Sequence, residues 1–354
     1  MVSVETNLLH RALSRQPVQR VPMWLMRQAG RYLPEYNATR KKAGSFLDLC
    51  KNPELACEVT LQPIERFNLD AAILFSDILT IPDALGLELY FVEGEGPKFR
   101  KEIKSESDIE AIPLIDVTEK LDYVAAAVKT IRQSLNTDIP LIGFSGSPWT
   151  LACYSLSGGS SRDDFLRARK WLYSRPEMFK LLLDKLTIIV CDYCEMQISS
   201  GANVIMLFDS WGGLLPGHNL SDFSLKYLRR IIRHLKTAHD IKIITFVKGA
   251  GQHLNLIADL NCDAIGIDWM TSLRSAKDEI GHRCALQGNL DPAVLLGTQT
   301  HIEAEVKKLF SLFGNRAKGI GHIFNLGHGI SQFTPPDNVS HLVEMVKKYS
   351  QQDS

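Results

Sequence analysis

Short apolar runs separated by helix-period segments constrain this chain more than any other feature. Eight runs recur, at 22–27 (PMWLMR), 71–77 (AAILFSD), 141–146 (LIGFSG), 204–210 (VIMLFDS), 243–248 (IITFVK), 264–268 (AIGID), 284–289 (CALQGN) and 322–328 (HIFNLGH). Continuous apolar composition suits strands buried on both faces, as in a parallel sheet. Between the runs the spacing predicts helices over 118–135, 176–199, 221–238, 273–280, 301–313 and 336–349. The longest carries an apolar stripe of Leu181, Leu182, Leu186, Ile189 and Val190. Ser147 and Pro148 read as a helix start, a capping hydroxyl followed by proline in the first turn. Residues 88–104 read as a hairpin insertion with a Gly-rich turn. Eight strands alternating with helices predict a single-domain (β/α)8 TIM barrel over residues 1–354, with an open doubly wound sheet as the alternative.

The composition fits that size of core. Of 354 residues 45 % are apolar, and 40 basic side chains balance 40 acidic ones. Zero net charge argues against general nucleic-acid affinity, so positive charge for an acidic ligand has to be local. The N-terminus is too polar for a signal peptide, no run approaches the length of a membrane span, and seven cysteines without a signal suggest reduced thiols; the expectation is a cytoplasmic protein with no membrane partner.

In a barrel the active site lies at the C-terminal ends of the strands. Those ends carry Arg27, Asp77, Ser145, Asp209 with Ser210, Lys248, Asp268, Asn289 with Asp291, and His328. Such residues also serve as caps and turns, so the set is more informative than its members. Arg27 and Arg31 sit on a loop with Gly30 and Pro34, and no acid lies between Pro22 and Pro34. Guanidinium forks bind carboxylates or phosphates; pairing with Glu35 or Asp268 is the structural alternative. Asp77 is aimed out of an apolar strand, where it can accept N–H bonds, stabilise a cation, or cap the turn leading to the loop around Asp83. Tyr154 could donate a hydrogen bond or simply pack, and His328 lies between two glycines that leave its imidazole accessible.

Several chemistries find no support. The loop 157–161 lacks the lysine of a phosphate cradle. Gly94-Glu-Gly96 lacks the third glycine of a dinucleotide fingerprint. Cys191 and Cys194 form a lone CxxC inside a helical stripe. His282 and Cys284 are spaced like two metal ligands, but no cysteine follows position 284. The residues therefore predict an electropositive barrel mouth with one aimed carboxylate, no metal and no nucleotide loop, suited to acid/base chemistry on an acidic small molecule.

The motif PMWLMRQAGRYLPEY at 22–36 resembles the N-terminal signature of the uroporphyrinogen decarboxylase family, and IGFSGSPWTLACY at 142–154 resembles its second signature. FSDIL at 75–79, FDSWGG at 208–213, QGNLDP at 287–292 and FNLGHGI at 324–330 follow in the family's order. The cobalamin-linked methyltransferases look similar in outline, but they pair a zinc-binding His-x-Cys with a later cysteine that is missing here. The resemblance implies a (β/α)8 barrel, a homodimer, and cofactor-free conversion of the four acetate side chains of the tetrapyrrole uroporphyrinogen III to methyl groups, giving coproporphyrinogen III in porphyrin and haem biosynthesis. It implies substrate contacts from Arg27, Gln28, Ala29, Gly30, Arg31, Asp77, Tyr154, Ser210 and His328, with Phe46 lining the pocket and Asp77, Arg27 and Arg31 carrying the catalysis.

Overall fold

The computed structural model describes residues 7–92, 96–159, 163–314 and 319–351. Its strands are β1 (Ala72–Ile73), β2 (Leu89–Val92), β3 (Gly96–Phe99), β4 (Leu141–Gly146), β5 (Val204–Asp209), β6 (Lys242–Val247), β7 (Ala264–Gly266), β8 (Ala285–Gln287) and β9 (His322–Ile323). Seven form one sheet in the order β1-β4-β5-β6-β7-β8-β9. Every neighbouring pair in it is parallel. All six residues of β4 and all six of β5 are buried, which is why their sequences are apolar on both faces rather than alternating. β2 and β3 pair antiparallel as the expected hairpin, whose turn at 93–95 lies outside the described residues.

Seven of the expected eight strands form this sheet. The run 22–27 contributes a single parallel bridge, Met23 to Phe324, because the chain breaks into turns at Met26. That segment nevertheless touches both edges of the sheet. Phe324 N donates to Pro22 O at 2.9 Å on the β9 side, and Asp70 N donates to Met23 O at 2.9 Å just before β1. The sheet is therefore curled, with its first and last strands brought to a common segment.

Helices cover the sheet where the periodicity predicts them. Pro176–Ser200 and Leu273–Ile280 match their expected spans closely, whereas the 118–135 segment divides into Val117–Lys120 and Asp122–Ser134. Ser147 caps Pro148–Leu156 by accepting from Thr150 N, with Pro148 in the first turn. Among the described residues no helix is long and apolar enough to cross a membrane.

Candidate active site

The C-terminal ends of the strands gather the site, and the loop after Met23 supplies its cations. Arg27 adopts a left-handed backbone conformation, φ 62°, which costs on the order of 1 kcal/mol for a residue with a Cβ. Buried amides hold it there. Gln28, 1 % exposed, accepts from Leu25 N at 3.0 Å and donates to Ala71 O at 3.1 Å. Asn325, fully buried, accepts from Met26 N at 2.9 Å, and Ile330 N returns a bond to Met26 O. The Gln28 side chain is thus committed to the scaffold, and its neighbours Ala29 and Gly30 are half-buried.

Arg27 and Arg31 are both exposed, and among the described residues neither makes an ion pair. The acids named as alternative partners are engaged elsewhere. Glu35 pairs with Arg66 at 3.2 Å. Asp268 accepts from Gly249 N, Met270 N and Thr271 Oγ1.

Asp77 follows β1 and accepts from Leu79 N at 2.7 Å, so it caps the next turn and still has acceptor capacity left. Burial raises its pKa, opposed by that N–H and by the Arg27 charge. It makes no ion pair among the described residues. Tyr154 meets Phe165 edge-on at 5.0 Å and Trp211 at 6.3 Å. Burial pushes its phenol up to about 12, with Asp77 adding to the shift and Arg27 opposing it. Tyr154 is therefore a neutral donor within the field of both groups. Ser210 is half-buried directly after β5. Phe46 packs edge-on against Phe75 at 5.7 Å and Phe91 at 4.7 Å, forming an aromatic wall that includes the β2–β3 hairpin.

His328 is half-buried, 6.1 Å from Trp269 and 6.4 Å from Phe246 between ring centroids. Burial first, then the charges of Arg27 and Lys248, lower its pKa to about 3. It is neutral at ordinary pH and can offer a hydrogen bond, not an imidazolium. The flanking glycines have a structural reason. A Cβ on Gly329 would strike the stem of Arg27, and one on Gly327 would strike the Trp269 backbone.

Other strand-end residues turn out to be framework. Asp209 is fully buried and accepts from Ser147 Oγ at 2.9 Å, Thr150 Oγ1 at 2.8 Å and Ser224 Oγ. Ser145 donates to Gly146 O. Asn289 donates to Asp268 O and Thr271 O, and Asp291 caps a turn at Ala293. The buried amides Gln28 and Asn325 were not singled out by their chemistry; only position within the recurring motifs marked them. His282 and Cys284 lie at the start of β8, the end of the sheet opposite the mouth, and Cys284 is buried. Cys191 and Cys194 are buried in the Pro176–Ser200 helix, as the packing alternative requires.

Comparison with known proteins identifies the family. The family model described as uroporphyrinogen decarboxylase (URO-D) matches residues 5–349. The chain is 53 % identical over 353 residues to a uroporphyrinogen decarboxylase of Legionella pneumophila, covering 99 % of each. It is 53 % identical over 343 residues to that of Herminiimonas arsenicoxydans, covering 96 % of this chain and 95 % of the relative. Among solved structures, a methyltransferase from Methanosarcina mazei superposes with a TM-score of 0.81 over 99 % of both chains at 22 % identity, a likeness of fold alone. Sequence, family model and the order of the motifs agree: this chain belongs to the uroporphyrinogen decarboxylase family, which are carboxy-lyases.

Proposed function

We propose that this protein removes the four acetate carboxyl groups of uroporphyrinogen III as CO2, leaving methyl groups and giving coproporphyrinogen III. The observation that carries the mechanism is Asp77, a carboxylate with spare acceptor capacity and no ion pair among the described residues, within reach of the Arg27 field at the sheet's C-terminal end.

Loss of CO2 leaves an electron pair on carbon, and something has to accept it. The pyrrole itself can serve. Protonating the ring carbon next to the acetate-bearing carbon makes an iminium. The C–CO2 bonding pair then becomes an exocyclic double bond while the iminium nitrogen takes back its electrons. Protonating the methylene and releasing the first proton restores the pyrrole with a methyl group. Asp77 accepts from the pyrrole N–H groups and stabilises the cationic intermediate, an interaction worth several-fold more in a water-poor site than in water. Its capping bond from Leu79 N fixes the carboxylate without neutralising it. Arg27 and Arg31 hold peripheral carboxylates, while Tyr154, Ser210 and His328 add neutral polar contacts. The backbone of 28–30 lines the same loop, and Phe46 closes the wall beyond Phe75. Because His328 is neutral, a charged general acid has to be sought elsewhere, and a water polarised by Arg27 fits the role better than the imidazole.

The same reading extends to the fold. The single domain is a closed eight-stave barrel in which segment 22–24 is the eighth stave, supported by its backbone bonds to Phe324 on one side and Asp70 on the other. The homodimer implied by the family resemblance belongs to this proposal; sedimentation at micromolar concentration tests it. A non-catalytic tetrapyrrole carrier needs a similar pocket. An anaerobic assay with chemically reduced uroporphyrin separates the two: CO2 and successively less carboxylated products are expected, and binding without CO2 release rejects the decarboxylase reading.

A further inference from the structure

Lys248 lies at the end of β6, the middle strand of the seven. The segment carrying Arg27 touches the two outer strands of the same curled sheet. Around the mouth, Lys248 is therefore as many strands from the arginine loop as the sheet allows. Its Nζ is 5.6 Å from the Trp211 ring and 5.7 Å from the Trp269 ring. Those tryptophans abut the site on either side, Trp211 against Tyr154 and Trp269 against His328.

The backbone at this point is fixed. Lys248 N donates to Asp209 O at 3.1 Å, Lys248 O accepts from Gly213 N at 2.9 Å, and Gly249 N is held by Asp268. The side chain is half-buried, and among the described residues it has no carboxylate partner. A half-buried ammonium normally finds an acid, since aromatic faces replace only part of its lost hydration. The Lys248 ammonium sits between two rings that border Tyr154 and His328, and its charge adds to that of Arg27 in lowering the His328 pKa.

We infer that Lys248 is a third cationic anchor for the substrate's rim, holding a peripheral carboxylate on the side of the mouth opposite Arg27 and Arg31. The inference rests on the proposed substrate, whose eight carboxylates surround the ring. Anchors on one side only would leave such a ring free to pivot about them. Opposed cations define how the macrocycle lies over Asp77. Lysine suits the place because a single ammonium can follow a carboxylate as its neighbours change from acetate to methyl, where a guanidinium fork would demand one geometry.

Steady-state kinetics with uroporphyrinogen III test it, using Lys248→Met, which keeps the apolar stem between the tryptophans, Lys248→Arg, which restores charge, and Arg31→Ala as a reference. Losing one charge-assisted contact is expected to raise KM about tenfold in Lys248→Met, with a smaller change in kcat and a shallower dependence of kcat/KM on ionic strength. Lys248→Arg, which restores the charge but not the adaptable geometry, is expected to recover only part of the loss. If KM rises in Arg31→Ala but not in Lys248→Met, the Lys248 assignment falls alone. If neither variant moves KM, the reading of this mouth as the carboxylate-binding site falls with it. Should Lys248→Met fail to fold, Lys248→Gln carries the same comparison.

Discussion

The stem of Arg27 lies across Gly329, so closely that a single added methyl at position 329 would occupy its place. The Arg27 loop and the His328 loop thus fit together through an absent side chain, and the neighbouring His328 is held neutral by burial and partly by the same guanidinium. Gly329→Ala is expected to displace Arg27 and lower kcat/KM by about tenfold or more, with a stability loss of about 1–3 kcal/mol from overpacking. Kinetics together with thermal unfolding check both; unchanged kinetics would mean that the Arg27 stem relaxes freely.

Asp77→Asn keeps an oxygen for Leu79 N and removes the charge. Turnover is expected to fall at least about 100-fold while the unfolding temperature stays near that of the parent, the magnitude being typical for loss of a preorganised electrostatic contact. Near-normal turnover rejects the cation-stabilising role.

Asp209→Ala is expected to behave in the opposite way. Three hydroxyls, from Ser147, Thr150 and Ser224, would lose a fully buried acceptor. A stability loss of roughly 3 kcal/mol or more follows from stranding buried donors. Denaturant unfolding measures it, and a loss below about 1 kcal/mol would show that water replaces the carboxylate.

Arg31→Ala is expected to raise KM more than Tyr154→Phe does, because a charge-assisted hydrogen bond is roughly twice as strong as a neutral one. Equal KM values in parallel assays would make Arg31 a structural residue.

His328 gives a pH signature in the ligand-free protein. The folded state keeps the imidazole neutral down to about 3, whereas an unfolded histidine takes a proton below 6.5. Its contribution to stability is whole above 6.5 and is lost as pH falls toward 3, the loss reaching about 2–3 kcal/mol by pH 4.5. His328→Gln is expected to show a correspondingly flatter decline in unfolding free energy between pH 7 and 4.5. Parallel declines would place the imidazole in water.

Much of this fold is legible in the sequence. The runs at 141–146, 204–210 and 243–248 became β4, β5 and β6 to within one residue at either end, because buried parallel strands announce themselves as unbroken apolar sequence. The runs at 264–268, 284–289 and 322–328 overshot, since their polar ends peel away from the sheet to form the mouth. At 22–27 the apolar character is real but serves burial beside Phe324 rather than a full ladder. Asp77 and Asp209 look alike in sequence, each following an apolar run. Only folding shows that one meets a ring of hydroxyls and the other an arginine's field. Lys248 likewise gained its meaning from two tryptophans delivered by neighbouring strands.

The clasp between Met26 and Asn325 has a consequence for synthesis on the ribosome. A growing chain makes both arginines and Asp77 early, with the Gln28 bonds to Leu25 and Ala71 already available, but the Asn325 half of the loop's support is missing until the last strand emerges. The full set of bonds that fixes the Arg27 backbone therefore closes only near the end of translation.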